Sequence, residues 1–185
     1  MVKLTKDLRT YCIAISGSHG AGTSTAAKNI AESLNLKLVS AGAIFRESAK
    51  KRKIDIKEFT RIVEGDGYLK EELDELIRAE ARKGGVVVEG RISCWTAGEF
   101  ADLRVMIDAP FGIRVKRISQ RGKSEAEAKH ETIQRDNEEH QWFLRNYGID
   151  IYDNSIYDLI INTERLGPNQ VTSIIEAAIF HHSEK

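Results

Sequence analysis

The sequence of 185 residues has only two cysteines, Cys12 and Cys94, and it has no long hydrophobic run. Two cysteines are too few for a disulfide framework, so we expect buried thiols in a reducing compartment. No apolar run reaches the length that spans a membrane, and residues 1–6 lack the apolar core of a signal peptide. These absences predict a cytoplasmic protein with no membrane partner.

The chain also lacks an excess of charge of either sign, because 28 Lys and Arg residues balance 28 Asp and Glu residues. This balance argues against a dedicated nucleic-acid-binding protein. Hydrophobic residues make up 41% and charged residues 30% of the chain, which is typical of a globular protein. No repeat or low-complexity segment is visible, so we expect one domain over 1–185, as a monomer or a small homo-oligomer.

A glycine-rich stretch between an apolar run and a helical pattern is the most informative part of the sequence. It consists of Gly17, Ser18, His19, Gly20, Ala21, Gly22, Thr23, Ser24 and Thr25. Glycines let the backbone turn tightly, so that successive N–H groups and the following helix N-terminus can surround a phosphate group. Ser24 stands at the hydroxyl position of the phosphate-loop pattern, where it would bind Mg²⁺. The stretch predicts a polyphosphate site; the alternative is a turn that binds no ligand.

One position departs from the phosphate-loop pattern, because Thr23 stands where the pattern has Lys. The backbone N–H groups and the hydroxyl ligand remain, but the positive charge that Lys would place beside the outer phosphates is lost. Another cation must supply that charge if the site performs phosphoryl transfer. The missing Lys also leaves open a nucleotide-binding sensor or assembly factor that hydrolyses ATP slowly. The many separate arginines around the expected cleft favour an enzyme.

Apolar runs predict four further strands that alternate with helical patterns, at 36–39, 86–91, 103–108 and 157–162. This order indicates an α/β fold with a parallel sheet, in which ligands bind outside the carboxyl ends of the strands. Ser40, Arg46 and Arg91 follow such strand ends and should face the cleft, with a solvated surface position as the alternative for Arg46. Glu89, at the end of the third strand, is either a Mg²⁺ partner through water or an ordinary strand-end carboxylate.

A helical hairpin after the fourth strand offers a replacement for the missing Lys. Arg114, Arg117 and Arg121 are spaced by three and then four residues, which places them on one helical face. A glycine break and the capping-box spacing of Ser124 and Glu127 start the next helix at once. We predict that Arg117 and Arg121 supply the charge; Arg114 ranks below them because it lies furthest from the hairpin tip. A solvated basic face is the alternative.

Two further helical regions are expected to border the cleft. Two or three helices fit between the second and third strands, and we expect them to form a mobile subdomain over the cleft. The helix at about 125–147 has a polar middle without an apolar residue at 134–141. Arg135 is the residue of this helix that we expect to face the cleft.

Several separate stretches of the chain are similar to the archaeal type of cytidylate kinase, a family of nucleoside monophosphate kinases. They are residues 17–25 with Thr23 in the Lys position, 38–46, 88–91, 148–151 and 155–163. The resemblance implies a three-layer P-loop NTPase fold with a monophosphate-binding subdomain at 43–84 and a lid at 117–127. It implies ATP as the phosphoryl donor, Mg²⁺ as the cofactor, and CMP, with dCMP, as the acceptor. Fold alone leaves UMP or AMP open as acceptors.

The resemblance also implies roles for single residues. The ATP phosphates would bind to 17–25, the acceptor to Ser40, Arg46, Arg91 and Arg135, and the catalytic lid arginines would be Arg117 and Arg121. The sequence departs from the family at Trp142, where a basic residue is expected, and over 65–72 near the nucleobase. These departures bear on which base the acceptor nucleotide carries and not on phosphoryl transfer itself.

Overall fold

A computed structural model describes residues 7–182, and a five-stranded parallel sheet forms its centre. The strand order is β2-β3-β1-β4-β5. The strands are β1 (Cys12–Gly17), β2 (Lys37–Ser40), β3 (Val86–Gly90), β4 (Leu103–Asp108) and β5 (Leu159–Asn162). The predicted α/β fold with a five-stranded parallel sheet is confirmed.

Helices connect the strands and cover both faces of the sheet. They are α1 (Thr23–Ser33), α2 (Ala41–Lys51), α3 (Ile56–Gly65), α4 (Gly67–Lys83), α5 (Ser93–Ala97), α6 (Phe111–Ser119), α7 (Glu125–Tyr147) and α8 (Pro168–His182). Only α5 had no counterpart in the sequence patterns. It is one short turn of helix without a side-chain cap, so neither periodicity nor capping indicates it.

Alternate residues of the strands point to opposite faces, and this produces two hydrophobic layers. On one face, Ile13 and Ile15 of β1 pack with α1 and α8. On the other face, Cys12 and Ala14 pack with α4 and α5. Every residue of β1 is buried, as expected for the central strand of a covered parallel sheet. Cys12 and Cys94 are both buried and form no disulfide, as predicted.

Local backbone requirements set the boundaries of several elements. Asn35 ends α1 in the left-handed conformation with φ 51°, as its residue type predicts. Gly84 and Gly85 join α4 to β3 with φ values of 71° and 64°. A Cβ at Gly84 would lie 2.2 Å from the carbonyl oxygen of Thr10, so no other residue fits this turn. Within residues 7–182, no helix is both long and apolar enough to cross a membrane.

Two helical units begin at the carboxyl ends of β2 and β4. Helices α2, α3 and α4 run between β2 and β3 and share a small core around Phe59 and Val63. Helices α6 and α7 form a hairpin, and the predicted capping box of Ser124 and Glu127 starts α7. Movement of the first unit as a subdomain and of the second as a lid stays a prediction.

Candidate active site

The glycine-rich stretch forms a tight loop between β1 and α1. A Cβ at Gly17 would lie 2.0 Å from Thr23 Oγ1 and 2.6 Å from the Ile107 carbonyl oxygen, so only glycine fits there. Gly20 and Gly22 adopt φ values of 82° and 103°. Gly22 is also the N-cap of α1 and has no side chain to cap the helix, so the first N–H groups of α1 remain available to an anion.

A carboxylate at the end of β3 connects this loop to the start of α2. Glu89 is 9% exposed, and its two oxygens accept hydrogen bonds from Ser24 Oγ, at 3.3 Å, and from Ser40 Oγ. Ser40 also caps α2, because its hydroxyl oxygen accepts from the backbone N–H of Ala43 at 3.2 Å. Hydroxyl and carboxylate oxygens are the ligands that Mg²⁺ prefers alongside water and phosphate. Ser24 and Glu89 therefore fit a magnesium ion that is bound mainly through phosphate oxygens.

Two of the predicted acceptor arginines share one carboxylate. Arg91, whose side chain is 10% exposed, donates to Ser18 Oγ at 3.3 Å, and its Nε lies 3.1 Å from Glu139 Oε2. Arg135 donates from Nη2 to Glu139 Oε1 at 3.0 Å. Glu139 therefore lies between the two arginines. Sequence reasoning missed this residue, although its spacing of four from Arg135 was visible in the polar middle of α7.

Two other predicted arginines have no partner among residues 7–182. The guanidinium of Arg46 is exposed and lies close to the first turn of α2, since a Cβ at Gly42 would be 3.1 Å from Arg46 Nη1. Arg121 is exposed just beyond the end of α6. An arginine without a protein partner keeps all its donors for a ligand. Arg46 and Arg121 are the most readily available cations of the predicted set.

Arg117 and Arg114 are instead bound to the protein. Arg117 donates to the carbonyl oxygen of Ala21 in the loop at 3.0 Å, to Thr163 Oγ1 at 2.8 Å and to the Thr163 carbonyl oxygen at 2.7 Å. Arg114 is 8% exposed and makes two hydrogen bonds to the Asp136 carboxylate, at 3.1 and 2.7 Å. The two side chains join α6 to the loop, to α7 and to the segment after β5.

His19 connects the loop to α7. Its Nε2 lies 3.6 Å from Glu131 Oε1 and makes no hydrogen bond within the described part of the chain. Burial lowers the pKa of His19 to about 4; the charges of Arg135 and Arg121 act in the same direction, and Glu131 opposes them. The imidazole is therefore neutral near pH 7, and it fills the space between loop and helix rather than contributing charge.

Comparison with known proteins agrees with this geometry. Residues 12–165 match the cytidylate kinase-like family. Cytidylate kinase from Staphylothermus marinus is 40% identical over 168 residues, which cover 90% of this chain and 95% of the relative. Cytidylate kinase from Pyrococcus horikoshii is 42% identical over 170 residues, which cover 91% of this chain and 88% of the relative.

The fold also has a counterpart among solved structures. Shikimate kinase from Bacteroides thetaiotaomicron has a TM-score of 0.58 and 15% identity, and the match covers 91% of this chain and 98% of that chain. At this level of identity the likeness concerns the fold alone.

Proposed function

The chain belongs to the cytidylate kinase-like family, and we propose that it transfers the γ-phosphoryl group of ATP to CMP, and to dCMP, giving the diphosphate and ADP. One observation carries the proposal. A phosphate loop, a hydroxyl–carboxylate pair and arginines from separate elements meet at the carboxyl end of one parallel sheet. A site that only senses ATP would not need arginines for a second phosphate.

Phosphoryl transfer requires alignment and charge neutralisation and needs no side-chain nucleophile. Its transition state is loose, with negative charge spread over the oxygens of the transferred group. The loop N–H groups hold the donor phosphates. Ser24 and, through water, Glu89 would hold Mg²⁺, which neutralises charge on the phosphates when it is bound. ATP supplies the phosphoryl group.

The arginines divide into two sets in this proposal. Arg46, Arg91 and Arg135, with the Ser40 hydroxyl, hold the acceptor monophosphate. Arg121 and Arg117 act on the transferring group from the hairpin, in the place of the loop Lys that Thr23 replaces. Because Arg121 has no protein partner within residues 7–182, it can move to the phosphates without breaking a contact there. Arg117 already lies beside the loop through its bond to Ala21. Closure of the hairpin would also exclude water and so limit ATP hydrolysis.

The test is ADP formation in a coupled assay with ATP, Mg²⁺ and one monophosphate at a time, from CMP, dCMP, UMP, AMP and GMP. Strong stimulation by CMP and dCMP is expected. ADP formation that none of the monophosphates stimulates would overturn the proposal.

A variant pair tests the role of the hairpin. Arg121→Ala should lower kcat by on the order of 10³-fold, because an arginine at the transferring group contributes that much or more. Lys116→Ala removes an exposed cation from another side of α6 and should leave kcat unchanged. Equal activity of the two variants would contradict the role of Arg121.

A further inference from the structure

Thr163, the residue directly after β5, lies between the sheet and the glycine-rich loop. It is 4% exposed, and its backbone N–H donates to the carbonyl oxygen of Asp108, at the end of β4, at 2.8 Å. This bond follows the last residue pair of β4 and β5, Asp108 with Asn162, and so fixes the place of the Thr163 side chain. A buried hydroxyl group needs a hydrogen-bond partner, and the nearest backbone acceptor of this one belongs to the loop.

The Thr163 hydroxyl contacts both the loop and helix α6. Its Oγ1 lies 2.8 Å from the Ala21 carbonyl oxygen and 3.2 Å from the Asp108 carbonyl oxygen, and its one proton makes the shorter bond, to Ala21. The same oxygen accepts a hydrogen bond from Arg117 Nη1 at 2.8 Å. One hydroxyl group therefore holds a loop carbonyl and an arginine of α6 at the same time.

Arg117 is held beside the loop by neutral oxygens. Besides the hydroxyl, its guanidinium donates to the carbonyl oxygens of Ala21 and Thr163, at 3.0 and 2.7 Å. None of these three acceptors is a carboxylate, so they hold the guanidinium without neutralising its charge. Thr23 brings no charge to the loop at the position where the pattern has Lys. Thr163 thus supplies two of the three oxygens that keep this positive charge at the loop.

The Ala21 carbonyl also determines the direction of the next backbone N–H. In a trans peptide the C=O group and the following N–H point in opposite directions. The Ala21 carbonyl points toward Thr163 and Arg117, so the Gly22 N–H points away from both, and it makes no hydrogen bond to any of residues 7–182. Glycine tolerates many φ values, so this peptide could turn over if its carbonyl were not anchored.

We propose that Thr163 is a positioning residue of the ATP site. It acts through the Ala21 carbonyl, which orients the Gly22 N–H toward the phosphates, and through Arg117, whose charge it holds beside the loop. An anchored loop loses less conformational freedom when its ligand binds, so the hydroxyl raises the affinity for ATP without touching it. The inference rests on the donor site of the proposed function and does not depend on which monophosphate is the acceptor.

The test measures ATP binding without an acceptor, by isothermal titration calorimetry in the presence of Mg²⁺, with the full-length protein. Thr163→Val keeps nearly the same shape and removes the hydroxyl group. The dissociation constant for ATP should rise by about threefold to tenfold, the scale of one net hydrogen bond. Thr163→Ser keeps the hydroxyl group and should bind ATP as the wild type does. In steady-state kinetics, Thr163→Val should raise KM for ATP and leave KM for CMP unchanged.

Thr132 provides the matched control for the loss of a buried threonine hydroxyl. It is fully buried, and its Oγ1 donates to the Ala128 carbonyl oxygen at 2.7 Å within α7. Thr132→Val should therefore leave the dissociation constant for ATP unchanged. Wild-type affinity in Thr163→Val, or equal weakening in Thr132→Val, would overturn the inference and leave the proposed function standing.

A second measurement uses the wild-type protein and does not depend on the folding of a variant. In an assigned ¹⁵N spectrum, the Gly22 amide resonance should shift when ATP is added. An unchanged resonance at saturating ATP would refute the proposed direction of this N–H. If Thr163→Val weakens ATP binding as expected but no monophosphate stimulates ADP formation by the wild type, the proposed function falls and this inference stands.

Discussion

Replacement of Glu139 by Gln should strengthen the binding of CMP. In the ligand-free protein, the Glu139 carboxylate pairs with Arg91 and Arg135, which we assign to the acceptor phosphate. An incoming phosphate must therefore compete with a carboxylate that is already bound. Gln has nearly the same shape and no charge, so Glu139→Gln removes the competitor and keeps the packing.

The expected effect follows from the exposure and distance of this ion pair. The side chains of Arg91 and Glu139 are 10% and 22% exposed, and Nε and Oε2 are 3.1 Å apart. Two unit charges about 4 Å apart near a protein surface attract each other by about 4 kcal/mol before water competes. Glu139 also accepts a hydrogen bond from Arg135 at 3.0 Å, and the net value of a hydrogen bond to a charged group is about 1.5–3 kcal/mol. Because 1.4 kcal/mol corresponds to a factor of about ten, KM for CMP should fall by about tenfold or more.

The assay is steady-state kinetics with CMP as the varied substrate at saturating ATP and Mg²⁺. Glu138→Gln is the matched control, since Glu138 accepts a hydrogen bond from Gln134 at 2.7 Å and does not contact Arg91. Thermal unfolding of the free protein should show a lower midpoint for Glu139→Gln, because Arg91 loses a partner. An unchanged or higher KM for CMP in Glu139→Gln would refute the competition between carboxylate and phosphate.

Three further predictions concern stability and reactivity. Arg114→Ala leaves the Asp136 carboxylate without the guanidinium that pairs with it. The free energy of unfolding should fall by about 3–5 kcal/mol, which corresponds to a thermal midpoint lower by on the order of 10 °C. A midpoint within about a degree of the wild type would contradict this. His19 has a pKa of about 4 in the folded protein, against 6.5 for an ordinary histidine. Between these values the unfolded chain binds a proton that the folded protein does not, so stability should fall as pH decreases from 6.5 toward 4. Urea unfolding at several pH values should show a smaller fall in His19→Asn, and equal slopes would contradict the account. Burial raises the pKa of Cys94 to about 11, so iodoacetamide should modify it only after unfolding, as mass spectrometry can check; rapid modification of the native protein would disprove it.

Features that depend on neighbouring residues could be predicted from the residue order. The glycine-rich loop, the left-handed end of α1 at Asn35 and the capping box at Ser124 each involve residues within a few positions of one another. The strands could also be located, because a strand buried on both faces is a continuous apolar run. Backbone sterics and local hydrogen bonds act over these short separations, so the residue types alone restrict the backbone conformation at these positions.

The partners of the polar side chains could not be predicted in the same way. Helical spacing placed Arg114, Arg117 and Arg121 on one face, but it did not indicate that Arg117 binds Thr163, 46 residues away. Nor did it indicate that Glu139 reaches Arg91 or that Tyr147 donates a hydrogen bond to Asp74, which lies 73 residues earlier in the chain. Residue order establishes the elements and the reaction class, through the phosphate loop and the family resemblance. The pairing of charges comes from how the helices pack around the sheet, because an ion pair depends on distance in space and not on separation along the chain.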